Sequence, residues 1–324
     1  METSAIQTVI AAPFCVKDLP EPGPDEPLFL PADAQRLWYL GYLERWDNFQ
    51  RQAVKHWDSQ ECKSAFDETE GCSADLDVPR PAKPDVGQDS HGSAKLEDCF
   101  RREVLGIVEH VYNLLLTTRT MKEAEDITAP ERISVETAAY QTVTDEISRP
   151  MFVVCAKPAG DGSEETRLIG HVEYLGGKPG ALTWAVREAA KNSWGSLRCV
   201  LGEIAQSMLK ANVNYAFLVS SDEVMFLRYD IETRTEYVNL ALPDQAPHFD
   251  DVDVNIEPRL CFSDPIKHAD VLDEVEGTLS VKLGLLYMVH TVMTNDWQMP
   301  EEKGNCAKYA AKTKAGEKYM PSCP

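Results

Sequence analysis

Between Met151 and Tyr229 the apolar residues change spacing from every second position to every third or fourth and back, a pattern met by strands that flank a helix. Met151 to Ala156 is a short β-prone run and Arg167 to Leu175 a second, separated by the turn-forming Ala-Gly-Asp-Gly-Ser-Glu-Glu-Thr. Ser196 stands where a helix can begin. Leu197, Val200, Leu201, Ile204, Met208 and Leu209 then recur at helical steps until Asn212 and Asn214. Tyr215 to Val219 and Val224 to Tyr229 are two more strands, and Ser220 to Glu223 supplies the polar turn of a hairpin between them. The stretch therefore predicts a β-β-α-β-β unit, a pattern that many α/β folds share.

The flanks predict further elements. Residues 1–31 carry Pro20, Pro22, Pro24, Pro27 and Pro31 and predict an extended segment. Leu37, Leu40, Leu43, Trp46, Phe49 and Ala53 fall at three- and four-residue steps and predict a helix over 32–57. Residues 58–94 hold nine acids against three bases with little apolar content, as a flexible linker does. Residues 95–298 then form the main α/β domain. Within it, helices are expected over Leu96–Thr118, Ser134–Ile147 and Val275–Thr294, and strands over Thr235–Leu242 and Val252–Phe262. Residues 299–324 form a lysine-rich tail.

Arg149-Pro150 before the first strand, Gly170 on the second, Gln206 on the helix, and Tyr215, Phe217, Asp222 and Arg228 on the hairpin form a recognisable set. With these residues the chain resembles a degenerate PD-(D/E)XK nuclease-like domain of the fungal type, over roughly 80 residues judged by pattern. The resemblance implies a restriction-endonuclease-like mixed sheet flanked by helices, here with an N-terminal helical appendage. It also implies a site in which two carboxylates hold a hard divalent cation and a lysine positions the attacking water. Met151 stands where the first Asp is expected, and His171 and Glu173 stand where the Asp/Glu and the Lys are expected.

A second register remains open on the residues themselves. Glu173 can serve as the strand carboxylate with Lys178 as the cation, Asp161 or Glu136 as a further Mg²⁺ ligand, and Gln206 as an auxiliary contact. His171 and Glu173 lie two positions apart in a strand and so share a face, which also allows them to act as an acid-base pair on an unknown small molecule. Three readings follow. The favoured one is a non-catalytic scaffold, a pseudoenzyme that acts as an interaction or accessory protein with a protein partner and no cofactor. The alternatives are a divergent Mg²⁺-dependent nuclease using Glu173 and Lys178, and an acid-base enzyme using His171 and Glu173.

Composition narrows the partners. A balance of 32 basic against 53 acidic residues gives a net charge of −21, which repels nucleic-acid phosphates at long range. The stretch from Met151 to Arg228 is itself neutral, with eight basic and eight acidic residues, so a nucleic-acid partner is disfavoured without a basic footprint to offset the flanks. No run of about 18 apolar residues is present, so no membrane association is expected. Nine scattered cysteines without a Cys-x-x-Cys pair, and no basic segment ahead of an apolar run at Met1-Glu2-Thr3-Ser4, are read as an intracellular protein of the cytoplasm or nucleus. Cys155, Cys199 and Cys261 are expected to behave as small buried hydrophobes. Gly176-Gly177-Lys178-Pro179 fails as a phosphate loop because Pro takes the Ser/Thr place, and Asp251-Val-Asp253-Val-Asn255 fails as a calcium loop because Ile256 takes the obligatory Gly.

Overall fold

A computed structural model describes residues 5–14, 37–59, 62–63, 92–122, 132–137, 152–157, 163–173, 175, 178–230, 233–239, 241, 246–255, 259–273, 276–294, 297–299 and 310–312. It is an α/β protein built on a mixed eight-stranded sheet flanked by helices. The strands are β1 (Leu37–Tyr39), β2 (Tyr42–Arg45), β3 (Arg132–Thr137), β4 (Phe152–Lys157), β5 (Glu165–Val172), β6 (Tyr215–Val219), β7 (Glu223–Asp230), β8 (Thr233–Asn239), β9 (Phe249–Asn255), β10 (Arg259–Phe262), β11 (Ile266–Lys267) and β12 (Ala310–Lys312). The main sheet runs β2-β10-β7-β6-β5-β4-β3, with β11 added against β7. β1 pairs with β12 and β8 with β9 in two separate ribbons.

β3, β4 and β5 form an antiparallel meander, and β6 then joins β5 in parallel. Parallel neighbours require a crossover, and two helices supply it: α5 (Ala181–Ala190) and α6 (Gly195–Ala211). The other helices are α1 (Ala5–Ala11), α2 (Phe49–Trp57), α3 (Gly92–Phe100), α4 (Gly106–Lys122) and α7 (Val281–Thr294), and one π-helical turn at Arg101–Leu105 joins α3 to α4. The sheet divides two apolar layers. Phe100, Phe152, Phe217, Phe226 and Leu283 belong to the face under α1, α2, α3, α4 and α7, whereas Ile169, Leu182, Leu197, Ile204 and Leu218 belong to the face under α5 and α6. Covered on both sides, β6 is buried at all five residues, and its Tyr-Ala-Phe-Leu-Val is accordingly apolar throughout rather than alternating.

Gly170 explains one part of the sequence pattern in packing terms. A methyl group there would meet the Phe217 ring at 2.1 Å, because the two residues are direct neighbours across the parallel pair. The Phe217 ring in turn stacks on Phe152, with 6.1 Å between centroids. Without a glycine on β5 this aromatic layer has no room.

Several expected elements differ. The helix over 32–57 is instead β1, β2 and only then α2, with residues 32–36 outside the described region. Leu-Trp-Tyr-Leu-Gly-Tyr-Leu is rich in aromatic residues that favour strands, and Gly41 separates two extended segments, one of which pairs with β10. The extended segment at 1–31 contains α1, whose Ile10 lies in the core together with Phe14; residues 15–31 lie outside the described region. The linker at 58–94 falls almost wholly outside it, as does the lysine-rich tail apart from Met299 and β12. The helix expected over Ser134–Ile147 is replaced at its start by β3, where Ile133 is buried, Glu136 is exposed, and the chain pairs with β4. The closing helix begins at Val281, because Gly277 takes a left-handed turn at φ 70° ahead of it.

Candidate functional site

The last residues of β5 reach the place where two parallel strands end beneath α6. His171 pairs with Leu218 of β6, and the Glu173 backbone N–H donates to the Val219 carbonyl at 2.8 Å, so the ladder continues through the residue after β5. The strand period puts His171 and Glu173 on one face. That is the face covered by α6, which packs on both β5 and β6 and brings Glu203 over the strand end.

His171 Nε2 lies 3.0 Å from Glu173 Oε1 and 3.6 Å from Glu203 Oε2. One ligand atom from each residue lies within 4.8 Å of the others. The His171 and Glu173 side chains are only 6% and 9% exposed, and that of Glu203 16%. Gln206 stands three residues beyond Glu203 and therefore on the neighbouring turn of the same face. Outside this trio, Glu97 on α3 is held above the usual carboxylate range by burial, offset by Arg101 and to a lesser degree by His171. The trio offers one imidazole nitrogen and one oxygen from each of two carboxylates within 4.8 Å of one another.

A second polar centre lies beside it at the hairpin. Asp222 accepts the Gly180 N–H with both carboxylate oxygens, at 3.0 and 2.9 Å. Glu223, fully buried, accepts the Leu182 and Thr183 N–H groups at 2.9 and 3.0 Å and a short hydrogen bond from the Thr183 hydroxyl. The first turn of α5 thus finds its acceptors on the turn between β6 and β7. Pro179 and Gly180 lead into that turn, with Gly180 in the left-handed region at φ 71°. The sequence places Asp222 and Glu223 in a polar turn, and Asp222 in the set that carries the nuclease-like resemblance, with no hint that either receives N–H groups of a helix. Burial raises the Asp222 carboxyl, while the Gly180 N–H and Ser221 hydroxyl pull it back down.

Lys178 and Glu136 are not gathered with His171 and Glu173 at β5. Lys178 is tied to the hairpin through its carbonyl, which accepts the Ser221 hydroxyl at 3.2 Å, and among the described residues its ammonium forms no ion pair with Glu173. Glu136 is exposed on β3, two strands from β5 and so roughly 10 Å away across the sheet. It is also on a strand rather than the expected helix. Asp161 and Met151 lie outside the described region. Glu203 was not among the expected residues, yet it is the only acid in the sequence of α6 and sits between Val200 and Ile204 of the apolar stripe. Cys155 and Cys261 are buried and Cys199 is partly so, with burial pushing Cys199 up to about 12 and Cys261 up to about 11, so these thiols are poor nucleophiles.

Fold and cluster together define an α/β protein with a buried imidazole-carboxylate centre at the end of a parallel strand pair. No protein-family model, curated protein or solved structure matches the chain. No helix among the described residues is long and apolar enough to cross a membrane.

Proposed function

We propose that the chain is a degenerate nuclease-like scaffold that serves as an interaction or accessory protein and does not hydrolyse nucleic acid. The observation that carries this reading is the His171–Glu173 hydrogen bond at 3.0 Å, which closes on itself at the strand end where lysine-assisted hydrolysis needs a cation beside a carboxylate. Lys178, the nearest substitute in sequence, is fastened to the β6–β7 turn. The order of elements supports the scaffold: a helix, an antiparallel meander of three strands, a helical crossover and a parallel fourth strand. The net charge of −21 favours a protein partner with basic surface over a polyanion.

The test is incubation of the full chain with single- and double-stranded DNA and RNA in Mg²⁺ or Mn²⁺. The expected result is no cleavage above that of a Glu173→Ala preparation. Divalent-dependent cleavage that disappears in Glu173→Ala overturns the reading.

A further inference from the structure

We propose that His171, Glu173 and Glu203 form a binding site for a divalent transition-metal ion, with Zn²⁺ the best fit. The donor set selects this class. Magnesium and calcium take oxygen ligands almost exclusively, whereas one imidazole with two carboxylates suits the borderline ions. The spacing also fits. Bonds of about 2.1 Å in a tetrahedron place neighbouring donor atoms about 3.4 Å apart. The separations of 3.0 and 3.6 Å from the His171 nitrogen to the two carboxylates lie on either side of that value.

Charge points the same way. Two carboxylates from different elements, β5 with its extension and α6, are held within 4.8 Å of one imidazole nitrogen. Carboxylates crowded together in a low-dielectric setting repel one another. A dication reverses this balance. Three protein donors leave one tetrahedral position for water or for a side chain brought by a partner. The site also ties the α6 crossover to the strand end it covers. Its residues differ from those of the Mg²⁺ register considered from sequence, since His171 and Glu203 replace Lys178, Asp161 and Glu136.

The experiment is calorimetric titration of the chelator-treated full chain with ZnCl₂ in a reducing buffer, alongside Glu203→Gln and His171→Gln, with folding checked by circular dichroism. Because nine cysteines can also take zinc, Co²⁺ is titrated in parallel and read in the visible and near-ultraviolet. Expected are one site per chain that raises the thermal midpoint, Co²⁺ bands without thiolate charge transfer, and at least about a 100-fold loss of affinity in Glu203→Gln, since even supporting contacts cost 10- to 100-fold. Absence of binding, equal affinity in folded Glu203→Gln, or thiolate charge transfer at the one-equivalent point overturns the proposal. A variant that does not fold is replaced by Glu203→Asp, which keeps the charge and shortens the reach, and unchanged affinity there also counts against it. Nucleic-acid cleavage would remove the accessory-protein reading and leave this site standing, whereas failure to bind zinc would do the reverse.

Discussion

Glu223 and Glu173 are both buried carboxylates just past the ends of the adjacent parallel strands β6 and β5, yet their surroundings are opposite. Glu223 meets donors only: two backbone N–H groups and a hydroxyl from the first turn of α5. Glu173 meets an imidazole shared with a second carboxylate. A carboxylate saturated by fixed donors is structural, because its ionised form is already solvated by the protein. One that competes with another carboxylate for a single partner is poised for something else. Burial alone does not separate the two; the count of donors does.

The comparison can be broken at either end. The largest effect is expected from Glu223→Ala, which strands the Leu182 and Thr183 N–H groups in the core: a loss of about 3 to 5 kcal/mol in urea unfolding. Gly170→Ala, beside His171, is expected to lose about 2 to 3 kcal/mol by overpacking against the Phe217 ring, and Phe217→Leu in the same chain should recover part of it.

The Glu223 side also has a signature in pH. His268 is buried against Phe14 and Phe100, one ring nitrogen bonding the Glu223 carbonyl, and burial pushes its pKa down to about 3 from 6.5. Between those values the unfolded chain binds a proton that the folded chain refuses, so this group's effect is to lower stability as pH falls below 6.5. The expected loss is about 2 kcal/mol by pH 5. His268→Phe should flatten the slope of unfolding free energy against pH by one proton in that window, and an unchanged slope would show that His268 is not held neutral. The smallest effect belongs to the other end of the comparison. Glu203→Gln, which leaves the His171–Glu173 pair in place, is expected to change metal-free stability by less than about 0.5 kcal/mol or to raise it.

Strands β4 to β7 and helix α6 are legible in sequence because their apolar residues form unbroken runs or keep one period. β1 and β2 are not, since in Leu37-Trp-Tyr-Leu-Gly-Tyr-Leu43 steps of three and of two fall on the same residues. Helix α5 escapes for the opposite reason: Leu182, Ala185, Val186 and Ala189 do carry a stripe, but its small alanines follow Gly-Gly-Lys-Pro-Gly and read as loop. β3 was overridden by the helical steps of Glu136, Tyr140 and Val143, although Ile133 and Val135 alternate with Ser134 and Glu136.

The site divides in the same manner. His171 and Glu173 are visible because a strand's period places them on one face. Glu203 is set by how α6 crosses β5, a tertiary fact that leaves only one trace in the sequence, a lone acid within an apolar helix. Glu223 looks like an ordinary turn residue until α5, which it caps, is known to exist.

The most direct measurement is paired urea denaturation of Glu223→Ala and Glu203→Ala in metal-free buffer at neutral pH. The account expects Glu223→Ala to fall by about 3 to 5 kcal/mol while Glu203→Ala stays within about 0.5 kcal/mol of the parent. Equal losses in the two variants would contradict it, because the β5 cluster would then be as much a part of the folded framework as the α5 cap.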